Sequence, residues 1–387
     1  MISITKLFIT VLRAFVTDTK IDGELKAQFT TDTLTKLFQI AKTHDVVQIV
    51  SEVLHQNDLL PQGEEITEKF HKGQMAALHR YMHIDYEQEN LYQFFEQKGI
   101  PFIPLKGSVM RQYYPDPYMR TSCDIDILIP EEELDRATQL LIDELCYNLR
   151  KEAGYHDVSL LSPGGVHLEL HFNLKEKREL LDKQLVKVWD YSMDTDYGTY
   201  YKLQTPEFFV FHHMAHMVNH FLRGGCGIRA FVDLYYIEKD MQFDREKLAE
   251  LLRESGIEAF YNSAVQCVAA WFGQEAPSEV TELMEDFVLK GGVYGTRENR
   301  VSLERNKKGG KLGYYLSRVF IPYDSLKYKY PVLQKWKILL PFIWIGRLFG
   351  LLSPKKRKRA QKDMEMQKSI TVTAEEATDK MLKLLEI

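Results

Sequence analysis

The chain has 387 residues, of which 50 are Lys or Arg and 55 are Asp or Glu, and its formal net charge is -5. This length allows two or three domains, or one core with helical additions. A hydrophobic fraction of 45% and a charged fraction of 27% are ordinary for a soluble globular protein. The acidic balance disfavours long nucleic acid as a partner, although it leaves room for local basic patches.

The cysteines are scattered along the chain without CxxC spacing, at Cys123, Cys146, Cys226 and Cys267. That distribution argues against a disulfide framework and a zinc knuckle, and it indicates a reducing cytoplasm. The first segment, MISITKLFITVLRAFVTD, has an apolar run that Arg13 interrupts, and no small-residue cleavage site follows it. It is therefore predicted to form an amphipathic helix and not a signal peptide.

Residues 1–98 are predicted to form an N-terminal helical region. The stretch TDTLTKLFQIAKTHDVVQIVSEVLHQ has apolar residues at helical spacing, with a break near His44 and Asp45. A long amphipathic helix is predicted from about Glu68 to Gln97, with Gly99 as its C-cap.

The pattern changes in residues 99–176, which we interpret as the core of an α+β fold with a small mixed β-sheet. Short β-rich segments, IPFIPL, DIDILI, DVSLLS and VHLELHF, accompany the helical segment EEELDRATQLLIDELCY. The turn signal SPGGV predicts a hairpin between residues 157–161 and 166–172.

Helices are predicted to resume in a C-terminal helical domain, residues 177–330, followed by C-terminal helices with a basic segment, residues 331–387. The segment KILLPFIWIGRLFGLLSPKKRKR, residues 337–359, is interrupted by Pro341 and Arg347 and is too short to span a membrane. Two interpretations stay open: a helix lying on an anionic membrane surface, or a helix packed on the protein with a solvated basic tail. The second is favoured because packed helices are far commoner.

Two features of the core indicate phosphate and metal chemistry. Gly107 and Ser108 follow an apolar segment and precede a short helix, where the backbone can approach a phosphate closely. Asp124 and Asp126 alternate with isoleucines, so both carboxylates project from one face of a strand whose other face is apolar. Rigidly held carboxylates are what a pair of Mg²⁺ (or Mn²⁺) ions needs, although an exposed edge strand would show the same alternation.

A third acid, Glu169, lies on a later predicted strand between Leu168 and Leu170, with His167 and His171 on its own face. It would complete a two-metal clamp, or help to deprotonate an attacking hydroxyl. The alternative is the exposed face of a hairpin.

Taken together, these features resemble the polymerase β-like nucleotidyltransferase superfamily. The segments KGIPFIPLKG, YYPDPYMR, DIDILI and LELHF are closer still to a bacterial family labelled as uncharacterised nucleotidyltransferases. The resemblance also takes in the helical flanks, and so it covers most of the chain. The spacing from Ser108 to Asp124 is longer than in many superfamily members, which the YPDP turn accounts for. The resemblance implies a nucleotidyltransferase core in which Asp124, Asp126 and Glu169 are catalytic and hold the metal.

Lys106 and Arg120 are candidates, with Gly107 and Ser108, for contacts to the nucleotide. Many superfamily members have a small or apolar residue at position 106, and the alternative role for Lys106 is a solvated lysine at a strand end. Arg120 would stabilise the leaving pyrophosphate, or would pair with one of the two aspartates or with Asp116.

The segment FHHMAHMVNH puts His212, His216 and His220 on one stripe of a helix. A structural zinc site is disfavoured because no Cys or His pair elsewhere has suitable spacing. The stripe either forms a wall of the nucleotide cleft or consists of interior histidines bonded to Asp233 and its neighbours. We favour a role in cleft lining or domain packing. The candidate lining residues are His171, His216, Arg229 and Asp233.

The leading hypothesis is an enzyme that moves a nucleoside monophosphate from a nucleoside triphosphate to an unidentified hydroxyl acceptor and releases pyrophosphate. The resemblance permits a small molecule, a sugar, a protein side chain or an RNA end as the acceptor. One alternative is a catalytically inactive nucleotide-binding module, which the intact acids argue against. Another is a membrane-surface accessory protein of cell-envelope biosynthesis, suggested by residues 337–359. The expected location is the cytoplasm; the less favoured interpretation of residues 337–359, a helix on the membrane surface, would add peripheral contact at the inner face of the membrane.

Overall fold

A computed structural model of the chain describes residues 2–151, 154–293, 295–307, 320–321, 323–326, 330, 332–350 and 372–387. The fold is α+β, as predicted: a five-stranded mixed sheet and a two-stranded sheet lie among helices from both ends of the chain. The basic cluster predicted at residues 355–359 lies outside the described residues.

Helices make up the chain as far as residue 98, in agreement with the prediction. The predicted break between two of them falls at residues 44–46, where Asp45 has a φ of 54°. Gly99 ends the long helix with a φ of 66°, a conformation that glycine adopts readily because it has no Cβ. The bounds are α1 Ile4–Thr17, α2 Gly23–Lys26, α3 Thr31–Thr43, α4 Val47–Gln56 and α5 Glu65–Lys98.

The central sheet has the strand order β1-β2-β5-β4-β3, in which β2 and β5 are parallel and the other neighbours are antiparallel. The predicted hairpin is confirmed as β4 and β5. The first strand is shorter than the segment IPFIPL suggested, and β3 was not predicted. The bounds are β1 Ile103–Pro104, α6 Gly107–Met110, β2 Asp124–Leu128, α7 Leu134–Leu145, β3 Asn148–Lys151, β4 Asp157–Leu161 and β5 His167–His171.

The region after residue 177 is mostly helical, but it also contains a β-hairpin that was not predicted. The hairpin joins the edge of the sheet, because the backbone N–H of Phe102 donates to Tyr200 O at 2.9 Å and Lys202 N–H donates to Phe102 O at 2.9 Å. The bounds are α8 Glu179–Leu185, β6 Ser192–Thr195, β7 Gly198–Gln204, α9 Pro206–Phe221, α10 Arg229–Asp240, α11 Arg245–Glu254, α12 Glu258–Phe272, α13 Glu279–Gly291, α14 Arg297–Lys307, α15 Tyr323–Leu326, α16 Val332–Lys335, α17 Leu340–Gly350 and α18 Val372–Leu385.

Two hydrophobic cores position the site. The larger core combines side chains of α1, α3 and α4 with side chains of α9 to α13, so helices from both ends of the chain share it. The smaller core lies between the sheet and helices α5 and α7, and it contains Ile125, Ile127, Leu168 and Leu170, all 0% exposed. Since side chains alternate across a strand, burial of these four residues turns the acids of β2 and β5 to the opposite face of the sheet.

No helix of the described residues is long and apolar enough to cross a membrane. Around the start of α17, however, three large apolar side chains are exposed: Trp336 is 63%, Ile338 is 78% and Phe342 is 68% accessible.

Candidate active site

The acids of the DIDIL strand lie on the wall of a cavity of about 650 Å³. Asp124 is partly buried, and Asp126 is 7% exposed. The other walls come from α5, α9, α10 and the corner between α3 and α4. A volume of this size suits a small-molecule ligand.

Glu169 is brought next to the two aspartates by the parallel pairing of β2 with β5. In this register Asp126 lies opposite Glu169 and Asp124 lies opposite His167. Ligand atoms of Asp124, His167 and Glu169 lie within 4.8 Å of one another, and the same holds for Asp126, Glu169 and His171. The three acids predicted from the sequence are therefore one cluster, flanked by two histidines.

Two side chains contact the same carboxylate oxygen of Asp126. Lys106 Nζ donates to Asp126 Oδ1 at 3.0 Å, and His171 Nε2 lies 2.8 Å from Oδ1. Burial opposes ionisation of Asp126, but Lys106 and His171 outweigh it and hold its pKa well below the usual range. Burial alone would lower the pKa of Lys106, and the Asp126 carboxylate more than offsets this. Lys106 is thus paired with an acid and is not a solvated lysine.

The other two acids resist ionisation. Burial, and after it the charge of Asp126, raises the pKa of Asp124 and also the pKa of Glu169. A divalent cation beside these carboxylates would remove that penalty, and their hard oxygen atoms are the donors that Mg²⁺ and Mn²⁺ prefer. The residues present therefore fit a divalent metal ion.

Gly107 lies so close to Arg120 that a larger residue would not fit without a shift of the arginine. A Cβ at this position would lie 2.9 Å from Nη1 of Arg120. Lys106, just before it, has a φ of 47°, and the helix that follows has only four residues. Gly107 and Ser108 both line the cavity, so the predicted nucleotide-binding segment lies beside the acids.

Arg120 forms an ion pair with Asp233, a partner that the sequence analysis did not consider for it. Its Nε and Nη2 donate to the two carboxylate oxygens of Asp233 at 3.1 and 2.8 Å. The hydroxyl of Tyr114 donates to the same carboxylate at 2.7 Å. Asp233 is 1% exposed and Arg120 is 8% exposed. Burial opposes the charge of Asp233, but Arg120 outweighs it and holds the pKa of Asp233 below its usual value. The pair joins α10 to the segment before β2.

The histidine stripe of α9 lines the same cavity, together with His213. Burial lowers the pKa of His212 to about 3 and that of His220 to about 4, and it lowers the pKa of His216 well below the usual value. These rings are therefore neutral at neutral pH and contribute hydrogen bonds, not positive charge, to the wall. His212 lies against Gln204, and His216 Nδ1 lies 3.3 Å from Glu176.

Glu176 is a cavity residue that sequence reasoning missed, because it stands in a run of charged residues, NLKEKRE, without a distinctive pattern. Asn219 donates to its carboxylate, and His216 contacts it. Burial raises the pKa of Glu176 to about 7, against the opposing effects of Lys106 and Arg223. A pKa of about 7 means that the Glu176 carboxyl group titrates near neutral pH.

Arg229, predicted as a lining residue, belongs to a second group with three residues that the sequence analysis did not propose for the site: Asp45, Arg80 and Thr121. Its Nη1 donates to Asp45 Oδ2 at 2.8 Å, and Arg80 Nη1 lies 3.5 Å from Asp45 Oδ1. Thr121 Oγ1 donates to Asp45 Oδ2 at 2.8 Å. All but Thr121 of these residues line the cavity.

Comparison with known protein families identifies the family of the chain. A family model described as "Uncharacterised nucleotidyltransferase" matches residues 31–273, which is more than half of the chain and extends from α3 to the residue after α12. This range includes every residue of the cavity wall described above. No curated protein and no solved structure matches the chain.

Proposed function

Since the chain belongs to the family of uncharacterised nucleotidyltransferases, we propose that it transfers a nucleoside monophosphate from a nucleoside triphosphate to a hydroxyl acceptor and releases pyrophosphate. The observation that carries this proposal is the alignment of Asp124, Asp126 and Glu169 on two parallel strands at one wall of the cavity. Membership of the polymerase β-like superfamily and a bacterial origin, which the sequence motifs imply, are parts of the same proposal.

The three acids would hold Mg²⁺ or Mn²⁺, most simply as two ions. Bound there, the metal would neutralise phosphate charge and lower the pKa of the attacking hydroxyl. Asp126 has a lowered pKa and is ionised without the metal, so it would be the first ligand. Asp124 and Glu169 have raised pKa values, and a bound cation would favour their ionised forms.

Lys106, Gly107 and Ser108 would contact the nucleotide. The Lys106 ammonium has three N–H donors and uses one for Asp126, so the others can serve phosphate oxygens while the lysine stays in place. Catalysis would rest on positioning and on charge neutralisation, which dominate phosphoryl-transfer chemistry. We place the reaction in the cytoplasm, where nucleoside triphosphates and reduced cysteines occur together.

The test is a transfer assay. Purified full-length protein is incubated with α-labelled ATP, GTP, CTP or UTP and Mg²⁺ or Mn²⁺ in a lysate of its host, beside the Asp124→Asn/Asp126→Asn variant. Label that moves to protein, RNA or a small molecule only with the wild type supports the proposal and identifies the acceptor class. Absence of transfer together with absence of metal-dependent nucleotide binding by calorimetry would overturn it.

Residues 337–359 support a second proposal, peripheral contact with a membrane. Trp336, Ile338 and Phe342 are exposed, and lysines and arginines follow at residues 355–359. Exposed apolar side chains next to basic residues bind anionic bilayers. Trp336→Ser/Ile338→Ser/Phe342→Ser in the full-length chain is expected to lose binding to anionic liposomes, and it keeps α18, whose Met381 and Leu385 are buried in the larger core. Equal partitioning of this variant and the wild type would show that the proposal is wrong.

A further inference from the structure

Two arginines from separate helices share one aspartate on the helical wall of the cavity. Arg80 lies on α5, Arg229 is the first residue of α10, and Asp45 lies in the corner between α3 and α4. Arg229 Nη1 is 2.8 Å from Asp45 Oδ2, and Arg80 Nη1 is 3.5 Å from Oδ1. The side chains are 38% exposed for Arg80, 20% for Arg229 and 29% for Asp45, so the group is accessible from the cavity.

Most of the hydrogen-bond donors of these arginines are not used within the described part of the chain. A guanidinium has five N–H donors, and Arg229 uses only Nη1, toward Asp45 and Thr121. Arg80 also uses only Nη1, toward Asp45 and Cys123. Lys42 lines the same wall. This part of the wall thus carries three cations, Lys42, Arg80 and Arg229, and one carboxylate, Asp45, and so has a net positive charge.

Arg120, the arginine predicted to contact phosphate, is less available than this second group. The bidentate bond to Asp233 occupies the Nε and Nη2 of Arg120, and its Nη1 donates to Thr121 O at 2.9 Å. Three of its five N–H donors are therefore held by protein groups, and the residue is only 8% exposed. More exposed arginines are better placed for bidentate contact with a phosphate chain in the cavity.

We propose that Arg80 and Arg229, positioned by Asp45, form a phosphate-binding subsite. The phosphate belongs either to the β,γ-phosphates of the nucleotide, which leave as pyrophosphate, or to a phosphorylated acceptor. The inference rests on the proposed function for the source of the phosphate. Asp45 has a positioning role: it holds the two guanidinium groups at the cavity while leaving their outer donors available.

The experiment titrates pyrophosphate into the full-length protein in EDTA at fixed ionic strength, with calorimetric detection. Without a metal ion the acidic cluster repels pyrophosphate, so binding reports on the cationic wall. Arg80→Gln and Arg229→Gln are each expected to weaken binding about tenfold, the usual effect of losing one charged hydrogen bond. Arg136→Gln is the matched control, because Arg136 bonds Glu133 and Lys98 O outside the cavity.

Asp45→Asn separates phosphate binding from a purely structural role. Asparagine tolerates the positive φ of this position and retains an acceptor for Thr121. The variant keeps both cations but loses the charge that holds them, so pyrophosphate binding is expected to weaken a few-fold, less than in either arginine variant. Wild-type pyrophosphate binding together with a lower free energy of unfolding would make Asp45 a purely structural residue and overturn its positioning role.

Two further titrations assign the source of the phosphate. If the arginine variants lose affinity for ATP but not for AMP, the subsite holds the nucleotide's polyphosphate. If inorganic phosphate binds in the presence of saturating ATP, whose β,γ-phosphates then fill their own site, and the variants abolish that binding, the subsite holds a phosphate of the acceptor. Wild-type pyrophosphate affinity in both Arg80→Gln and Arg229→Gln would overturn the inference. A wild type that binds pyrophosphate but transfers no nucleotide would retain this subsite and overturn the proposed function instead.

Discussion

Asp124→Asn is expected to slow nucleotidyl transfer at least about 10³-fold while leaving the metal-free protein at least as stable as the wild type. The loss of rate follows from the removal of one hard, charged oxygen ligand from the acidic cluster. The retained stability follows from the pKa of Asp124, which burial and Asp126 raise in the folded protein. A raised pKa means that ionisation is harder in the folded than in the unfolded chain, so the charge costs folding free energy at neutral pH.

Asp126→Asn is expected to behave differently. In the wild type, Lys106 and His171 stabilise the charge of the Asp126 carboxylate and lower its pKa. Ionised Asp126 therefore favours folding at neutral pH, and this contribution is lost as the pH falls toward the lowered pKa. Asp126→Asn should therefore lose both activity and stability, the latter by about 2–4 kcal/mol after allowance for the partial exposure of Lys106. Transfer rates and denaturant unfolding of both variants test this contrast, with Asp143→Asn on the exposed face of α7 as the control. A stability loss in Asp124→Asn as large as that in Asp126→Asn would contradict it.

Asp233→Leu is expected to destabilise the protein by about 3–5 kcal/mol. The substitution leaves the buried guanidinium of Arg120 without its bidentate partner and removes the acceptor for the Tyr114 hydroxyl. The cost arises from an uncompensated buried charge, so it should largely disappear when the charge is removed as well. Arg120→Met/Asp233→Leu is therefore expected to recover most of the lost free energy of unfolding, measured by denaturant titration.

The same double variant decides between the two roles considered for Arg120. If Arg120 only joins α10 to the segment before β2, any nucleotide affinity that Asp233→Leu loses with its stability returns in the double variant. If Arg120 also contacts the leaving pyrophosphate, stability returns but affinity for the triphosphate does not. A cost below about 1 kcal/mol for Asp233→Leu alone would show that the pair does not stabilise the fold.

Local patterns in the sequence predicted the parts of the fold that depend on neighbouring residues. The alternation of Asp124 and Asp126 with isoleucines determined which face of β2 is polar, because successive side chains of a strand point to opposite sides. Gly99 marked the end of α5, and SPGGV marked the turn between β4 and β5. The hairpin of β6 and β7 was missed although GTYYKLQ is rich in residues that favour strands, since the surrounding segments are strongly helical.

The sequence by itself therefore determined the type of most elements, the acidic face of the sheet and the segment that carries Gly107. Only the tertiary structure decided which side chains meet. The pairing of β2 with β5 places Asp126 opposite Glu169. The packing of α10 brings Asp233 to Arg120, which is 113 residues away in the sequence. The packing of α5 and α10 at the corner between α3 and α4 brings two arginines to Asp45. The reason is physical: periodicity and turn propensity act over a few residues, whereas the partner of a buried charge is selected by how distant segments pack around a shared core.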